Sequence, residues 1–339
     1  MSKLDKIEEL QGLIKEDSSN FQARRELAVL LMDCGFNEEA LQHLLYLSKM
    51  FSFDEGIFYN LGIVYEKMKQ FSKAREAYEK AIDIEPESMD AIYNLGLVYT
   101  ELKEYDKAVD CFKQVIEYDN MDSNSYFNLG LIYFKQKDYL NAIEYFQKTI
   151  DINDEDIYAH FYIGNIYKEL GDKDSAKEQF EKVINLSPDY SWAYFNIAVI
   201  DYEDGKIEEA EENLKKTIDL NKMDEEAYKI LIKILLKNEE YEDANEYAKM
   251  RIEYCSETGD ADYLLAQTNK SMGLIDDYEN ALQNAIRNSQ TLSIPIEKIK
   301  TELRNIKNEQ FFVLKLTHKI YYERKKIMKM SKLFVQTMR

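Results

Sequence analysis

Four asparagines, Asn60, Asn94, Asn128 and Asn196, stand 34 residues apart, or twice that, in a chain of 339 residues. A carboxamide offers one acceptor oxygen and two donor hydrogens, so a row of them can hold the N–H and C=O groups of an extended peptide whatever its sequence. The residue before each row position is a ring in Tyr59, Tyr93, Phe127, Phe161 and Phe195. Such rings suit the apolar side chains of the same partner. Tyr162 interrupts the amides, and Asn165, one turn later, is the residue that can stand in for the missing one. This is binding chemistry without a reactive group.

Reactive constellations are not found in the sequence. It has no phosphate-cradling glycine loop, no H-E-x-x-H and no nucleophile elbow. His43, His160 and His318 are isolated, and His160 falls at a packing position, where it reads as a hydrogen-bonded core residue. Asp151, Asn153 and Glu155 imitate the start of a calcium loop, but Asp156 replaces the required glycine and Tyr162 the closing glutamate. That stretch reads as a turn and helix start. Acidic pairs such as Glu211 and Glu212 read as a solvated face. The expectation is a protein that is not an enzyme and needs no metal or cofactor.

The elements that position the rows follow from seven alanines, Ala40, Ala74, Ala108, Ala142, Ala176, Ala210 and Ala244, which keep the 34-residue period without a slip. Counting repeats from Phe21, Glu55, Met89, Ser123, Ile157, Ser191 and Glu225 puts alanine at position 20, Leu or Ile at position 7, and usually Gly or Ala at position 8. At about 100° per residue, positions 4, 7, 8 and 11 share one side of a first helix. A small position 8 lets a second helix approach closely, and position 20 is expected to be what it meets. Positions 2, 6, 9 and 13 lie opposite, with 5 and 12 alongside, so the asparagines and rings face away from the packing side.

These residues, with the string YNLGLVY at 93–99 followed by alanine, aromatic and isoleucine, resemble the tetratricopeptide repeat over residues 21–258. The usual Trp at position 4 is replaced by Phe58, Ile92, Tyr126, His160, Tyr194 and Tyr228. The resemblance implies an all-α fold, a right-handed α-solenoid superhelix of seven to eight helix-turn-helix repeats with a capping helix at each end. It also implies a concave groove lined by positions 2, 5, 6, 9, 12 and 13. The amide row is similar to the asparagine ladder of O-linked N-acetylglucosamine transferases, whose catalytic part is absent here. The carboxylate clamp of co-chaperones is matched by Arg25 and Asn60 but not by Val29, Asp90 or Asn94. Lys229, Lys233 and Lys237 form a separate basic stripe.

Each helix pair leaves an apolar face open, so the ends need caps. Residues 1–20 read as an N-terminal capping helix in which Leu10, Leu13 and Ile14 keep the repeat phase, and 259–292 as a degenerate helix pair. Residues 293–339 read as a basic amphipathic helical segment opened by Ser293 and Pro295, with Val313, Leu316, Ile320, Ile327, Met330 and Phe334 on one seam. Its expected contact is the last repeat, an anionic membrane surface or a partner helix.

The net charge of -20 makes nucleic acid an unexpected partner. The start MSKLDKIEEL carries charges where a signal core would be apolar, and Cys34, Cys111 and Cys255 are dispersed, as in a reduced cytoplasmic protein. The function expected is a scaffold that binds an extended or helical segment of a protein partner. The alternative is a membrane-peripheral or self-associating assembly factor acting through the basic tail.

Overall fold

The computed structural model describes residues 2–255 and 258–337, with side chains described up to residue 325 apart from 313, 314 and 318. Among the described residues every regular element is a helix. Two compact units divide the chain, Met1–Lys182 and Val183–Arg339.

In the first unit α1 (Lys3–Glu16) precedes the pairs α2/α3 (Phe21–Asp33, Asn37–Met50), α4/α5 (Glu55–Lys67, Phe71–Ile84), α6/α7 (Met89–Glu101, Tyr105–Tyr118) and α8/α9 (Ser123–Lys135, Tyr139–Ile152). Then come α10 (Ile157–Leu170) and α11 (Lys173–Leu186), in which the unit boundary falls. Up to α10, each helix packs on the next. The second unit holds α12/α13 (Ser191–Glu203, Ile207–Leu220), α14/α15 (Glu225–Lys237, Tyr241–Tyr254), α16/α17 (Gly259–Ser271, Ile275–Arg287) and α18 (Ile296–Thr337).

The helices start and stop where local chemistry says they should. Asp54, Asp122, Asp156 and Asp224 accept the N–H three residues on, at 2.8–3.3 Å, and so cap α4, α8, α10 and α14. Asp156, in the stretch that imitates a calcium loop, is therefore a helix cap. Within each pair the turn needs a left-handed residue at position 15. Gly171 supplies it at φ 81°, whereas Lys103 occupies it at φ 60°, a conformation that a side chain adopts only at some cost.

The nearest neighbour of a position-8 glycine across the pair is the ring at position 24. A Cβ on Gly130 would lie 2.7 Å from the Phe146 ring, and one on Gly164 2.8 Å from Phe180. Both rings are fully buried. The glycine is small because a large aromatic side chain fills the space between the two helices, and Ala142 and Ala176 of the same pairs are fully buried as well.

Both ends are covered. Ile7 and Leu10 of α1 are buried in the same core as Leu27 and Leu31 of α2. At the other end, Ile299 and Ile306 of α18 are buried, with Leu303 beside them, against Ala266, Tyr278, Ala281, Leu282 and Ala285 of α16 and α17. Ser293 does not cap α18. Its N–H and hydroxyl bond the Asp260 carboxylate at 2.7 and 3.0 Å. The contact lies on the first three turns of α18 and not on the expected seam, since Leu316 and Ile320 are each 48 % exposed. At about 1.5 Å rise per residue the 42 residues of α18 are too long for one helix pair to cover. Val313, Ile327, Met330, Phe334 and the His318 side chain lie outside the described residues.

Candidate functional site

The rows of rings and amides are brought together in the first unit. Tyr59, Tyr93, Phe127 and Phe161 are half-buried. Each rests on the position-24 ring of its own pair, with centroids 6.0 Å apart for Tyr59 and Tyr78, 5.5 Å for Tyr93 and Phe112, 5.4 Å for Phe127 and Phe146, and 5.8 Å for Phe161 and Phe180. One edge packs and the other is open.

The asparagines are engaged with these rings. Asn94 donates its Nδ2–H to the Tyr59 hydroxyl at 3.2 Å, and Asn128 donates to the Tyr93 hydroxyl at 3.0 Å and to the Asn124 carbonyl at 2.9 Å. Each bond joins position 6 of one repeat to position 5 of the repeat before. After Phe127 no hydroxyl awaits an amide, and position 6 is then Tyr162. Its ring stacks on Phe146 at 5.3 Å and meets Phe127 and Phe134 edge-on. The interruption of the row is an exchange of a polar bridge for an aromatic one. Asn60 and Asn165 are half-buried.

In the second unit the expectation of an open amide fails. Asn196 is 4 % exposed and donates to the Trp192 carbonyl at 2.8 Å. Phe195 meets the Trp192 ring edge-on at 6.3 Å.

Position 9 adds Ile63, Leu97 and Leu131, half-buried beside the rings. Sequence reasoning placed position 2 on the groove side but named no residue there. There Tyr158 and Trp192 are each about half exposed, and their large rings at a groove position are the signal that marks them. The mouth near Tyr59 is acidic, a cavity of about 450 Å³ bordered by Glu55, Glu85, Glu87 and Asp90. Burial and the Asp90 charge hold the Tyr59 hydroxyl above its usual pKa, so it stays a neutral donor and acceptor.

His160 is buried, and its Nδ1 is paired with Gln179 at 2.9 Å. Cys34, Cys111 and Cys255 are free thiols, and burial pushes Cys111 up to about 12, far from a reactive thiolate. Among the described residues no helix is long and apolar enough to cross a membrane.

Models of the tetratricopeptide repeat match residues 57–88, 77–110, 123–156 and 157–190, and a further TPR repeat model matches 96–137. A tetratricopeptide repeat protein from Parabacteroides merdae superposes with a TM-score of 0.50 at 14% identity, covering 74% of this chain and 98% of that one. MamA (residues 41 to the end) from Desulfovibrio magneticus RS-1 has 26% identity and a TM-score of 0.48, covering 51% of this chain and 97% of that one. YrrB, described as a TPR protein with an unusual peptide-binding site, has 24% identity and a TM-score of 0.45 over 54% of this chain and 95% of its own. No curated protein matches the sequence.

Proposed function

The chain belongs to the tetratricopeptide repeat proteins, and from that premise we propose that it is a non-enzymatic scaffold holding an extended or helical segment of a partner protein on its ring-and-amide face. One observation carries this reading. The tyrosine and phenylalanine rings at position 5 are fixed from behind by buried rings and left open in front, which makes them anchors that lose little entropy on binding. Hydroxyl and amide groups between them supply polar partners for a backbone, and the carboxylates near Tyr59 favour a segment with basic residues. Affinity capture with the intact chain tests the reading. Tyr158→Ser removes an exposed ring from that face of the first unit, and recovery of the captured partner is expected to fall; undiminished recovery in this variant and in Tyr93→Ala with Phe127→Ala, which removes two of the anchors themselves, sinks the assignment.

A second contact surface is favoured by the distal part of α18. Phe311, Phe312, Leu316 and Ile320 are exposed there, next to Lys315, Lys319, Arg324 and Lys325. An apolar face among cations suits an anionic membrane surface or the acidic repeats of another copy. Vesicle binding and sedimentation with and without residues 308–339 distinguish these from a helix that contacts neither.

A further inference from the structure

Past Ile306, α18 carries an apolar face that the last pair does not cover. Phe312 is 66 % and Tyr321 60 % exposed, and Leu316 and Ile320 are half exposed beside them. Lys315, Lys319, Arg324 and Lys325 are exposed on the same stretch. Residues 308–339 hold eight Lys or Arg against Glu309 and Glu323, a net charge of +6, so residues 1–307 carry -20 - 6 = -26.

Apolar surface of this extent on a soluble helix marks a contact, and the charge decides among its occupants. The same helix of another copy is a poor match, because six surplus positive charges would meet six more. An anionic membrane attracts the helix but repels the acidic chain that carries it. What matches is a surface on which negative charge and apolar side chains stand together.

The first unit has such a surface. The turns between its repeats, residues 83–90, 117–124 and 151–158, contain four, three and four carboxylates and no Lys or Arg. Asp122 and Asp156 cap helices there. By contrast Glu85, Glu87, Asp90, Glu117, Asp154 and Glu155 are exposed and form no ion pair among the described residues. Among these acids Tyr118 is 71 % and Met121 62 % exposed. The cavity of about 450 Å³ near Tyr59 opens on the same edge, with Glu85, Glu87 and Tyr118 on its border. At about 1.5 Å per residue the cations from Lys315 to Lys325 span about 15 Å, more than the roughly 8–10 Å between packed helices, so one tail is long enough to meet the turns of neighbouring repeats.

We propose that the distal part of α18 docks on the turns between the repeats in the first unit of a second copy, its apolar face against Tyr118 and Met121 of that copy and its cations among the carboxylates. The protein then associates with itself through a contact of tail and turns. The proposal rests on the reading of α18 as a contact surface and names its occupant. Each copy offers one tail and one set of turns, so the contact is heterologous and adds further copies unless a ring closes.

Sedimentation velocity on the intact chain, from about 5 to about 200 μM, is expected to show association that weakens tenfold or more when salt rises from about 50 to about 500 mM. Two full-length variants change only exposed side chains: a tail variant with Lys315→Gln, Leu316→Ser and Lys319→Gln, and a turn variant with Glu85→Gln, Glu87→Gln and Tyr118→Ser. Each alone is expected to stay monomeric over that range with an unchanged melting temperature. Their equimolar mixture is expected to form a species of two chains and nothing larger, because one intact tail then meets one intact set of turns. A wild type that stays monomeric, association that survives in either variant, or a mixture that stays monomeric overturns the proposal. Vesicles of phosphatidylcholine with and without phosphatidylserine distinguish this from failure of the reading on which it rests. A monomeric chain that pellets with the anionic vesicles keeps α18 as a contact surface and assigns it to the membrane, whereas a chain that neither associates nor pellets removes both.

Discussion

The Nδ2 of Asn128 donates to the hydroxyl of Tyr93 one repeat earlier, at 3.0 Å, and Asn94 repeats the bond with Tyr59 at 3.2 Å. The amides that resemble a peptide ladder are thus also struts between repeats. Replacing Asn94 and Asn128 by Ala is expected to cost about 1–3 kcal/mol in total, since each bond between half-buried groups contributes roughly 0.5–1.5 kcal/mol. Tyr59→Phe with Tyr93→Phe should cost a similar amount, and all four changes together little more than either pair, because the same two bonds are lost. Urea midpoints decide this, and additive costs contradict the shared bond. Partner capture separates the two roles of the amides: it should fall in the alanine pair and persist in the phenylalanine pair, which keeps both amides in place and releases their bonds to the rings.

Gly130 faces Phe146 so closely that an added Cβ would lie 2.7 Å from the ring. Gly130→Ala is therefore expected to lower stability by about 1–3 kcal/mol through overpacking. The chain itself indicates the remedy. The same two positions hold Ala28 and Leu44, or Ala198 and Leu214, in other repeats. Phe146→Leu should then restore at least half of the loss when added to Gly130→Ala, although alone it leaves a void and destabilises. A double variant whose cost equals the sum of the singles would show that the ring does not set the size of position 8.

Most of the fold was legible because a repeat array states its packing seven times over. The alanine period, the apolar positions and the capping phase of Leu10 are all local or neighbour effects. The pairing of position 8 with position 24 was also present, as glycine opposite an aromatic, alanine opposite leucine, and Ile232 opposite Ala248, but it shows only when both positions are read together. Tyr162 likewise makes sense once Phe127 is seen to lack the hydroxyl that an amide would use. The burial of Asn196 and Arg251 was not legible, since each depends on how neighbouring helices close over it. Nor was the place where α18 leaves the last pair, because its apolar residues continue past the surface that covers them.

The division of α18 into a docked and an uncovered part predicts two different truncations. Ending the chain at residue 307 removes exposed side chains such as Phe312 and Leu316 but keeps Ile299, Leu303 and Ile306 on the last pair. Its melting temperature is expected to match that of the full chain within a degree or two. Ending at residue 293 exposes Tyr278, Ala281, Leu282 and Ala285 and should lower the melting temperature and increase aggregation. Circular dichroism melts of the two truncations give the comparison, and equal stability loss in both is incompatible with a cap confined to the first turns.

Glu302 ties α18 to that pair and makes the contact sensitive to acid. Burial alone would raise its pKa, but hydrogen bonds from the Tyr278 and Tyr263 hydroxyls and the Gln267 amide outweigh this and hold it below the usual carboxylate value. A carboxyl depressed in the folded state contributes stability that is fully present above its unfolded pKa and is lost as pH falls through the folded one. Glu302→Gln is therefore expected to be less stable than wild type at pH 7, by about 1–3 kcal/mol, with the gap closing below about pH 4. Urea midpoints of both proteins between pH 7 and pH 3 measure the gap. A difference that stays constant with pH would mean that the charge of Glu302 plays no part in holding the helix.

Trp192 is the one tryptophan of the chain and stands about half exposed at a groove position, beside Phe195. Its emission is consequently a direct report on that face. In the free protein the indole should emit as a partly hydrated group and be quenched readily by acrylamide. A peptide seated along the second unit's first helices removes water from the ring, so its emission should shift to the blue and the quenching constant should fall, by about half if the exposed edge is covered. Phe195→Leu, which takes away the ring that braces the indole edge-on, should raise quenching in the free protein and weaken the response to peptide. If a captured partner binds while Trp192 emission and quenching stay unchanged, the partner lies elsewhere, and position 2 of this repeat is not part of the binding face.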